Sequence, residues 1–125
     1  MSFAPPIRLV LVDNAAAVRR GLCAYLEVQE GIQVVAQCGE RDSISTVKEL
    51  QPDTIVLASD REELIRQLAA AAPGVKILGT LDGGPMSKAR FIAAGGWDVV
   101  NRFSPVEDVM DRLLSCRENV HHGIG

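Results

Sequence analysis

The most informative segment for the fold class is IRLVLV, residues 7–12, which is followed directly by Asp13 and Asn14. The run is almost wholly apolar and rich in β-branched side chains. Such a run is typical of a strand that is buried on both faces, as in a parallel sheet. The first strand of the chain is therefore predicted to lie inside a parallel sheet.

Strand-like and helix-like segments alternate along the rest of the chain. Strands are predicted at residues 7–12, 32–37, 54–58, 75–78 and 97–100. Helices are predicted at 15–27, 61–72 and 87–94, with a short helix before Pro52 and a last helix after Ser104. Five such βα units predict an α/β domain with helices on both faces of a parallel sheet. The right-handed crossover rule favours a flavodoxin-like (βα)5 fold with strand order 2-1-3-4-5.

The domain is predicted to cover residues 1–120, with a flexible tail at residues 121–125. Periodic apolar residues give the first and last helices one core-facing side each. These residues are Val18, Leu22, Tyr25 and Leu26 in the first helix, and Val106, Val109, Met110, Leu113 and Leu114 in the last. Asp42 or Ser43 is predicted to cap the short second helix.

Composition and charge limit the classes of function. The chain has 125 residues with 13 basic and 16 acidic side chains, and its net charge of −3 argues against direct binding of nucleic acid. No apolar run is long enough to cross a membrane. The three cysteines, Cys23, Cys38 and Cys116, fit neither a disulfide framework nor a CxxC metal motif. We therefore expect a cytoplasmic protein with reduced thiols and no membrane contact.

Four fragments connect the sequence with a known family. They are IRLVLVDNAAAVRRGL at residues 7–22, PDTIVL at 52–57, APGVKIL at 72–78 and AAGG at 93–96. In this order and spacing, the chain resembles the receiver domain of two-component response regulators, nearest to the subgroup with a helix-turn-helix output domain. The resemblance extends over nearly the whole chain.

The resemblance implies a specific chemistry at the carboxyl edge of the sheet. Receivers of this family hold Mg²⁺ with an acidic pair after the first strand, and an Asp at the end of the third strand accepts a phosphoryl group. A Thr or Ser after the fourth strand and a Lys after the fifth contact the phosphoryl oxygens. Mg²⁺ and Lys offset the charge of the three clustered carboxylates during the transfer.

The acidic residues of that pattern are mostly missing from this sequence. The acidic pair becomes Asp13 and Asn14, and the acceptor position, counted from Pro52, falls on Ala58, whose methyl group cannot accept phosphate. Asp60 has two open interpretations, a cap or first-turn acid of the third helix or a fallback acceptor. Asp13 is only a weak Mg²⁺ candidate without a second carboxylate, so neither a metal nor a cofactor is expected.

The hydroxyl and lysine positions also differ from the family pattern. The hydroxyl position is Leu81 without a gap, or Thr80 with a shift of one residue. The lysine position is Arg102 or Asn101, depending on the direction of counting. Two interpretations of Arg102 stay open. It pairs with one of the two aspartates and fills the space of the phosphoryl group, or it is a solvated loop residue.

Trp97, the only tryptophan, lies at the predicted start of the fifth strand. Receivers of this type commonly use the fourth helix, fifth strand and fifth helix as a partner surface. The resemblance therefore implies an interface formed by Trp97 with Phe91 or Phe103, and tryptophan is enriched at binding hot spots. The alternative is local packing of Trp97 over the edge of the sheet.

The degenerate site predicts a non-catalytic, receiver-like signalling module and not an enzyme. Such a module acts without phosphorylation, by contact with a second copy or another signalling protein, and the resemblance implies a role in transcriptional regulation. An attached DNA-binding output domain, absent from this chain, is a further implied partner. Two alternatives stay open: a divergent receiver that is phosphorylated on Asp60 with Mg²⁺, and a receiver-like sensor of a small ligand.

Overall fold

Five apolar runs form one parallel sheet in a computed structural model, which describes residues 5–122 and the side chains of residues 5–115. The strands are β1 (Ile7–Asp13), β2 (Ile32–Cys38), β3 (Thr54–Ala58), β4 (Lys76–Leu81) and β5 (Asp98–Asn101). The helices are α1 (Ala16–Glu27), α2 (Glu40–Leu50), α3 (Glu62–Ala71), α4 (Lys88–Ala93) and α5 (Val106–His122). The strand order is β2-β1-β3-β4-β5, with all neighbours parallel. The predicted flavodoxin-like (βα)5 fold is confirmed.

Both faces of the sheet are covered, because alternate side chains of each strand point to opposite sides. One cluster includes Val10 and Ile55 and joins the sheet to α2, α3 and α4. The other includes Leu9 and Val56 and joins the sheet to α1 and α5. Cys23 of α1 is buried in this second cluster, where it acts as a small apolar side chain.

The short helix α4 is anchored by Phe91, which is fully buried. Two glycines make room for its ring. A Cβ atom on Gly79 of β4 would lie 2.6 Å from the ring, and one on Gly96 would lie 2.1 Å from it. Because Cβ atoms do not approach other atoms so closely, this packing requires glycine at both positions.

Three residues that were predicted to face the core lie at the surface instead. Val18 of α1 is 50% exposed, and Val106 and Leu114 of α5 are more than one-third exposed. The two helices contact the rest of the domain along narrower faces than their apolar periodicity suggested. Leu26 and Leu113, which have no exposed surface, carry those contacts.

Two element boundaries differ from the prediction by more than one residue and affect the carboxyl edge of the sheet. α2 begins at Glu40, so neither Asp42 nor Ser43 caps it, and both lie inside the helix. The prediction misplaced the cap because the capping side chain comes from another part of the chain, Asn14. β4 continues to Leu81, three residues beyond its predicted end, and this extension brings β4 to the carboxyl edge of the sheet.

The C-terminal helix α5 extends to His122 and so includes the first two residues of the predicted tail. Residues 123–125 lie outside the described residues, and the predicted domain limit at residue 120 stays a prediction. Within residues 5–122, no helix is long and apolar enough to cross a membrane.

Candidate functional site

A cleft of about 340 Å³ opens at the carboxyl edge of the sheet, where β1, β3 and β4 end. The parallel register brings these ends together, with Asp13 of β1 directly opposite Ala58 of β3. Five of the six residues predicted for the degenerate site line the cleft, namely Asp13, Asn14, Ala58, Thr80 and Arg102. The sixth, Asn101, does not line it.

Asp13 and Arg102 form a two-point ion pair across the cleft. Arg102 Nη1 lies 3.0 Å from Asp13 Oδ2, and Arg102 Nη2 donates to Asp13 Oδ1 over 3.1 Å. The two side chains are only 12% and 20% exposed, respectively. Of the two interpretations of Arg102, the pairing with an aspartate is therefore correct. A two-point guanidinium–carboxylate contact of this kind fixes the relative orientation of the two groups and also neutralises their charges.

The backbone around this pair holds both partners in place. Asp13 Oδ1 also accepts a hydrogen bond from the backbone N–H of Ala15 over 2.9 Å. Arg102 donates its own backbone N–H to Leu81 O over 2.7 Å, which ties the loop after β5 to the end of β4. Asn101 Oδ1 accepts from the backbone N–H of Phe103, so that side chain forms a local turn and does not enter the cleft.

Asn14 caps α2 from a distance of 26 residues along the chain. Its Oδ1 accepts from the backbone N–H of Glu40 over 2.8 Å, and its Nδ2 donates to Glu40 Oε2 over 2.9 Å. A Cβ atom on Gly39 would lie only 2.9 Å from Asn14 Oδ1, so glycine permits this close approach. The amide therefore satisfies a helix-terminal donor that has no partner within the helix.

Glu40 extends this network to the loop after β3. Its Oε1 accepts from Ser59 Oγ and from Arg61 Nη1, each over 3.2 Å. Ser59 Oγ in turn accepts from the backbone N–H of Arg61 over 3.2 Å. Asp60 is exposed and precedes Arg61, the α3 N-cap, while Glu62 and Glu63 are the acids of the first turn. The interpretation of Asp60 as a cap or first-turn acid of α3 is therefore wrong.

Glu40 and Arg61 were missed as site residues by the sequence reasoning. Glu40 follows the second strand closely, so the rule that carboxyl ends of parallel strands carry functional groups applied to it as well. Arg61 offered no such signal, since its role depends on a partner that is 21 residues earlier in the chain.

The acceptor and hydroxyl positions are occupied by Ala58 and Thr80. β3 and β4 pair in register through Leu57 and Gly79, so Ala58 and Thr80 follow as the next residues of the two strands. Thr80 is only 8% exposed. Its hydroxyl makes no hydrogen bond with any residue of the described part of the chain, and it lines the cleft. Leu81, the other candidate, also lines the cleft but has no hydroxyl group.

The donor set does not fit the Mg²⁺ ion that the fold family implies. Both carboxylate oxygens of Asp13 contact Arg102. Among the residues that the structure describes, no three His, Cys, Asp or Glu side chains are grouped so that they could hold a metal ion. Mg²⁺ prefers near-octahedral oxygen coordination with direct carboxylate ligands, and the carboxylate of Asp13, which the resemblance assigns to the metal, is engaged by Arg102 instead.

The three aromatic residues that were predicted to share an interface are separated. Phe91 is fully buried against the two glycines, so it cannot contribute to a surface, and its predicted interface role is wrong. Trp97 precedes β5 and is half-buried, with Lys76 Nζ 5.6 Å from its ring centroid. Phe103 follows β5 and is 77% exposed. Because β5 lies between them along the chain, Trp97 lies at the amino end of this strand and Phe103 beyond its carboxyl end.

Comparisons with known proteins agree with the fold and the pattern of elements. No family model matches the sequence. A protein-glutamate methylesterase/protein-glutamine glutaminase of Myxococcus xanthus is 30% identical over 110 residues, which cover 82% of this chain and 32% of that protein. The response regulator GacA of Pseudomonas aeruginosa is 33% identical over 79 residues, 58% of this chain and 36% of that protein. The chain thus spans about a third of the length of these relatives.

Solved receiver structures superpose over nearly the full chain. The signal receiver domain of the response regulator NarL from Mycobacterium tuberculosis has a TM-score of 0.81 at 15% identity, covering 92% of this chain and 98% of that one. A CheY-like receiver domain from Methanospirillum hungatei has a TM-score of 0.80 at 15% identity, covering 94% and 98%. This chain is a receiver domain related to those of response regulators.

Within this receiver domain, the cleft at the carboxyl edge is where the sequence resemblance predicts the phosphorylation site. In that position, Ala58 stands where the acceptor is expected and Arg102 contacts Asp13. The two contacts of Asn14 with Glu40 show why a second acid is poorly suited here. An aspartate in place of Asn14 would bring its carboxylate against that of Glu40.

Proposed function

We propose that this receiver domain is a non-catalytic, cytoplasmic signalling module that acts through protein–protein contacts without aspartyl phosphorylation. The observation that carries the proposal is Ala58, which lies opposite Asp13 at the end of β3. A methyl group has neither the lone pairs nor the charge to attack a phosphoryl group.

The ion pair between Asp13 and Arg102 supports the same proposal. It places a guanidinium group against the carboxylate that would otherwise hold a divalent cation. Phosphoryl transfer needs positive charge that is free to stabilise the transferring group. Here that charge is already engaged, and Mg²⁺ is not needed to neutralise Asp13.

The proposed setting is transcriptional regulation. Relatives include response regulators, and structures with the same fold include a DNA-binding response regulator of the LuxR family from Staphylococcus aureus. We infer that this domain associates with a second copy of the chain. A DNA-binding output domain or another signalling protein is a further proposed partner. The domain itself, with its net negative charge, makes no direct contact with nucleic acid.

Self-association is the direct test of this role, and Phe103 is the residue to change. An aromatic side chain that is 77% exposed is a common anchor of protein interfaces. Sedimentation velocity should show association that is equal with and without acetyl phosphate and Mg²⁺, and that the Phe103→Ser variant weakens about tenfold or more. Val28→Ser is the matched control, because Val28 is 78% exposed and lies at the end of α1. Association that appears only after addition of acetyl phosphate, or none at high protein concentration, would contradict the proposal.

The alternative function, phosphorylation on Asp60, is favoured by one observation. Asp60 lines the cleft, is exposed, and makes no hydrogen bond or ion pair with any residue in the described part of the chain. Its carboxylate is therefore available for reaction. A covalent phosphoryl group that is present in the wild-type chain and absent from the Asp60→Ala variant would establish this alternative.

A further inference from the structure

The hydroxyl group of Thr80 is the least explained polar group of the cleft. Thr80 is 8% exposed, yet its hydroxyl has no hydrogen-bond partner among the residues that the structure describes. Its neighbours along β4 are engaged in packing, since Gly79 contacts the Phe91 ring. No buried side-chain oxygen or nitrogen in the described part of the chain lacks a partner, so the Thr80 hydroxyl, which makes no bond within the protein, opens into the cleft and is available to a ligand atom.

The charges around this hydroxyl define the kind of ligand. Four carboxylates and two guanidinium groups line the cleft, which leaves an excess of two negative charges. Arg102 pairs with Asp13, and Arg61 pairs with Glu40. The carboxylate of Asp60 and one oxygen of Asp82 keep no partner within residues 5–115, since Asp82 Oδ1 alone accepts, from the backbone N–H of Gly84.

Other classes of ligand fit this lining less well. An anion would meet the two unpaired carboxylates, and both arginines are already engaged. A metal ion lacks a cluster of three ligating side chains in the described part of the chain. An alkylammonium or guanidinium group fits, because it is positively charged and its N–H groups can donate to carboxylates and to a hydroxyl oxygen.

We propose that the cleft binds an organic cation whose ammonium or guanidinium group donates to the Thr80 hydroxyl and pairs with Asp60 and Asp82. The volume of about 340 Å³ lies at the lower end of the range for small-molecule sites. The same group is offered by a free amine and by a lysine or arginine side chain of a partner. The inference rests on the proposed function, in which no phosphoryl group occupies the cleft.

Amide NMR titration of the full chain tests this inference. The probes are putrescine and agmatine as free cations, a short lysine-containing peptide and a short arginine-containing peptide as partner side chains, and acetate as the anion. We expect saturable shifts around the ends of β3 and β4 with a cation and none with acetate. Binding of the free cations identifies a small amine as the source of the cationic group, and binding of the peptides identifies a partner side chain. Binding of both shows that the cleft accepts either source.

Two variants and one control decide whether the binding belongs to the cleft. Thr80→Val keeps the shape of the side chain and should weaken binding about tenfold, because it removes a hydrogen bond to a charged donor. Asp60→Asn should weaken it to a similar degree, and Asp60 is exposed, so folding is not at risk. Asp111→Asn removes the same charge from an exposed position of α5 outside the cleft and should leave binding unchanged.

Several results would overturn the inference. They are the absence of saturable binding up to millimolar cation, equal weakening in the Asp111→Asn control, and no effect of Thr80→Val and Asp60→Asn. None of these results bears on phosphorylation. The proposed function fails separately, if a covalent phosphoryl group is found on the chain.

Discussion

Gly79 and Thr80 are neighbours in β4, yet they belong to two regions with opposite character. Gly79 lies in the Phe91 pocket, which consists of Phe91, Gly79 and Gly96 and in which the Phe91 side chain is fully buried. Thr80 lines the open cleft, where charged side chains pair across loops. The first region accepts almost no change of volume, whereas the second has room for different side chains.

The contrast separates the part of the domain that depends on shape from the part that depends on charge. Packing in the Phe91 pocket depends on shape, and a single added methyl group would overlap the ring. Groups in the cleft depend on charge balance and hydrogen bonds, so one positive group can replace another. Arg102 neutralises Asp13 in the cleft, within a sheet of strand order β2-β1-β3-β4-β5.

Gly96→Ala should have the largest effect on stability, because its Cβ atom would lie 2.1 Å from the Phe91 ring and 2.9 Å from the Phe91 carbonyl oxygen. We expect the free energy of unfolding to fall by about 3 kcal/mol, at the upper end for overpacked cores. Urea denaturation measures this free energy of unfolding. Gly21→Ala is the matched control, since a Cβ there meets nothing within 4 Å and the change should raise helix stability by up to about 1 kcal/mol. Equal effects of the two variants would show that the Phe91 pocket is not tightly packed.

Arg102→Ala should be the most damaging change in the cleft. It leaves the carboxylate of Asp13, which is 12% exposed, without its cation. We expect a loss of about 2 kcal/mol in the free energy of unfolding, a value reduced from that of fully buried pairs because both groups retain some solvent contact. A double-mutant cycle with Asp13→Asn measures the coupling. A coupling near zero would mean that the pair is not formed in solution.

Asn14→Asp restores the acidic pair of the family and should destabilise the chain by about 1 kcal/mol. It removes the donor to Glu40 Oε2 and sets two carboxylates against each other, although Oδ1 can still cap α2. The loss should largely disappear in a Glu40→Gln background, where the repulsion is absent. Thermal unfolding of the single and double variants tests this, and a double variant as unstable as Asn14→Asp would refute the role of Glu40.

The smallest effect is expected on the surface, at the contact between α3 and α4. Arg90 hydrogen-bonds Glu62 and, with Arg66, lowers the pKa of the Glu62 carboxyl below its ordinary value. Because the folded-state pKa is lowered, the stabilisation is present above the unfolded-state pKa and is lost as the pH falls through the folded-state pKa. The stability difference between the wild type and Glu62→Gln should therefore be small at neutral pH and vanish in acid. A difference that grows in acid would contradict the pairing.

Sequence reasoning was accurate where local pattern controls the structure. β1 and β3 are buried on both faces and appear as continuous apolar runs, and β3 was predicted with its observed ends, Thr54–Ala58. The cleft could be located as well, because parallel strands with known order must bring Asp13, Ala58 and Thr80 to one edge. Pattern and topology together thus place the site without any knowledge of contacts.

The partners within the site could not be derived in the same way. Arg102 and Asp13 are 89 residues apart, and two positions along the chain competed for the lysine site. The cap of α2 was assigned to residues inside the helix, because a cap supplied by Asn14 leaves no local signal. Long-range side-chain geometry depends on how loops fold back, which residue spacing does not encode.

Intact-mass spectrometry after incubation with acetyl phosphate and Mg²⁺ tests the central claim most directly. The account predicts no gain of mass in the folded wild-type chain, and a gain in neither Asp60→Ala nor Asp13→Asn. A gain of one phosphoryl group in the wild type that is absent from Asp60→Ala would contradict it, because the domain would then be a phosphorylated receiver with its acceptor two residues beyond Ala58.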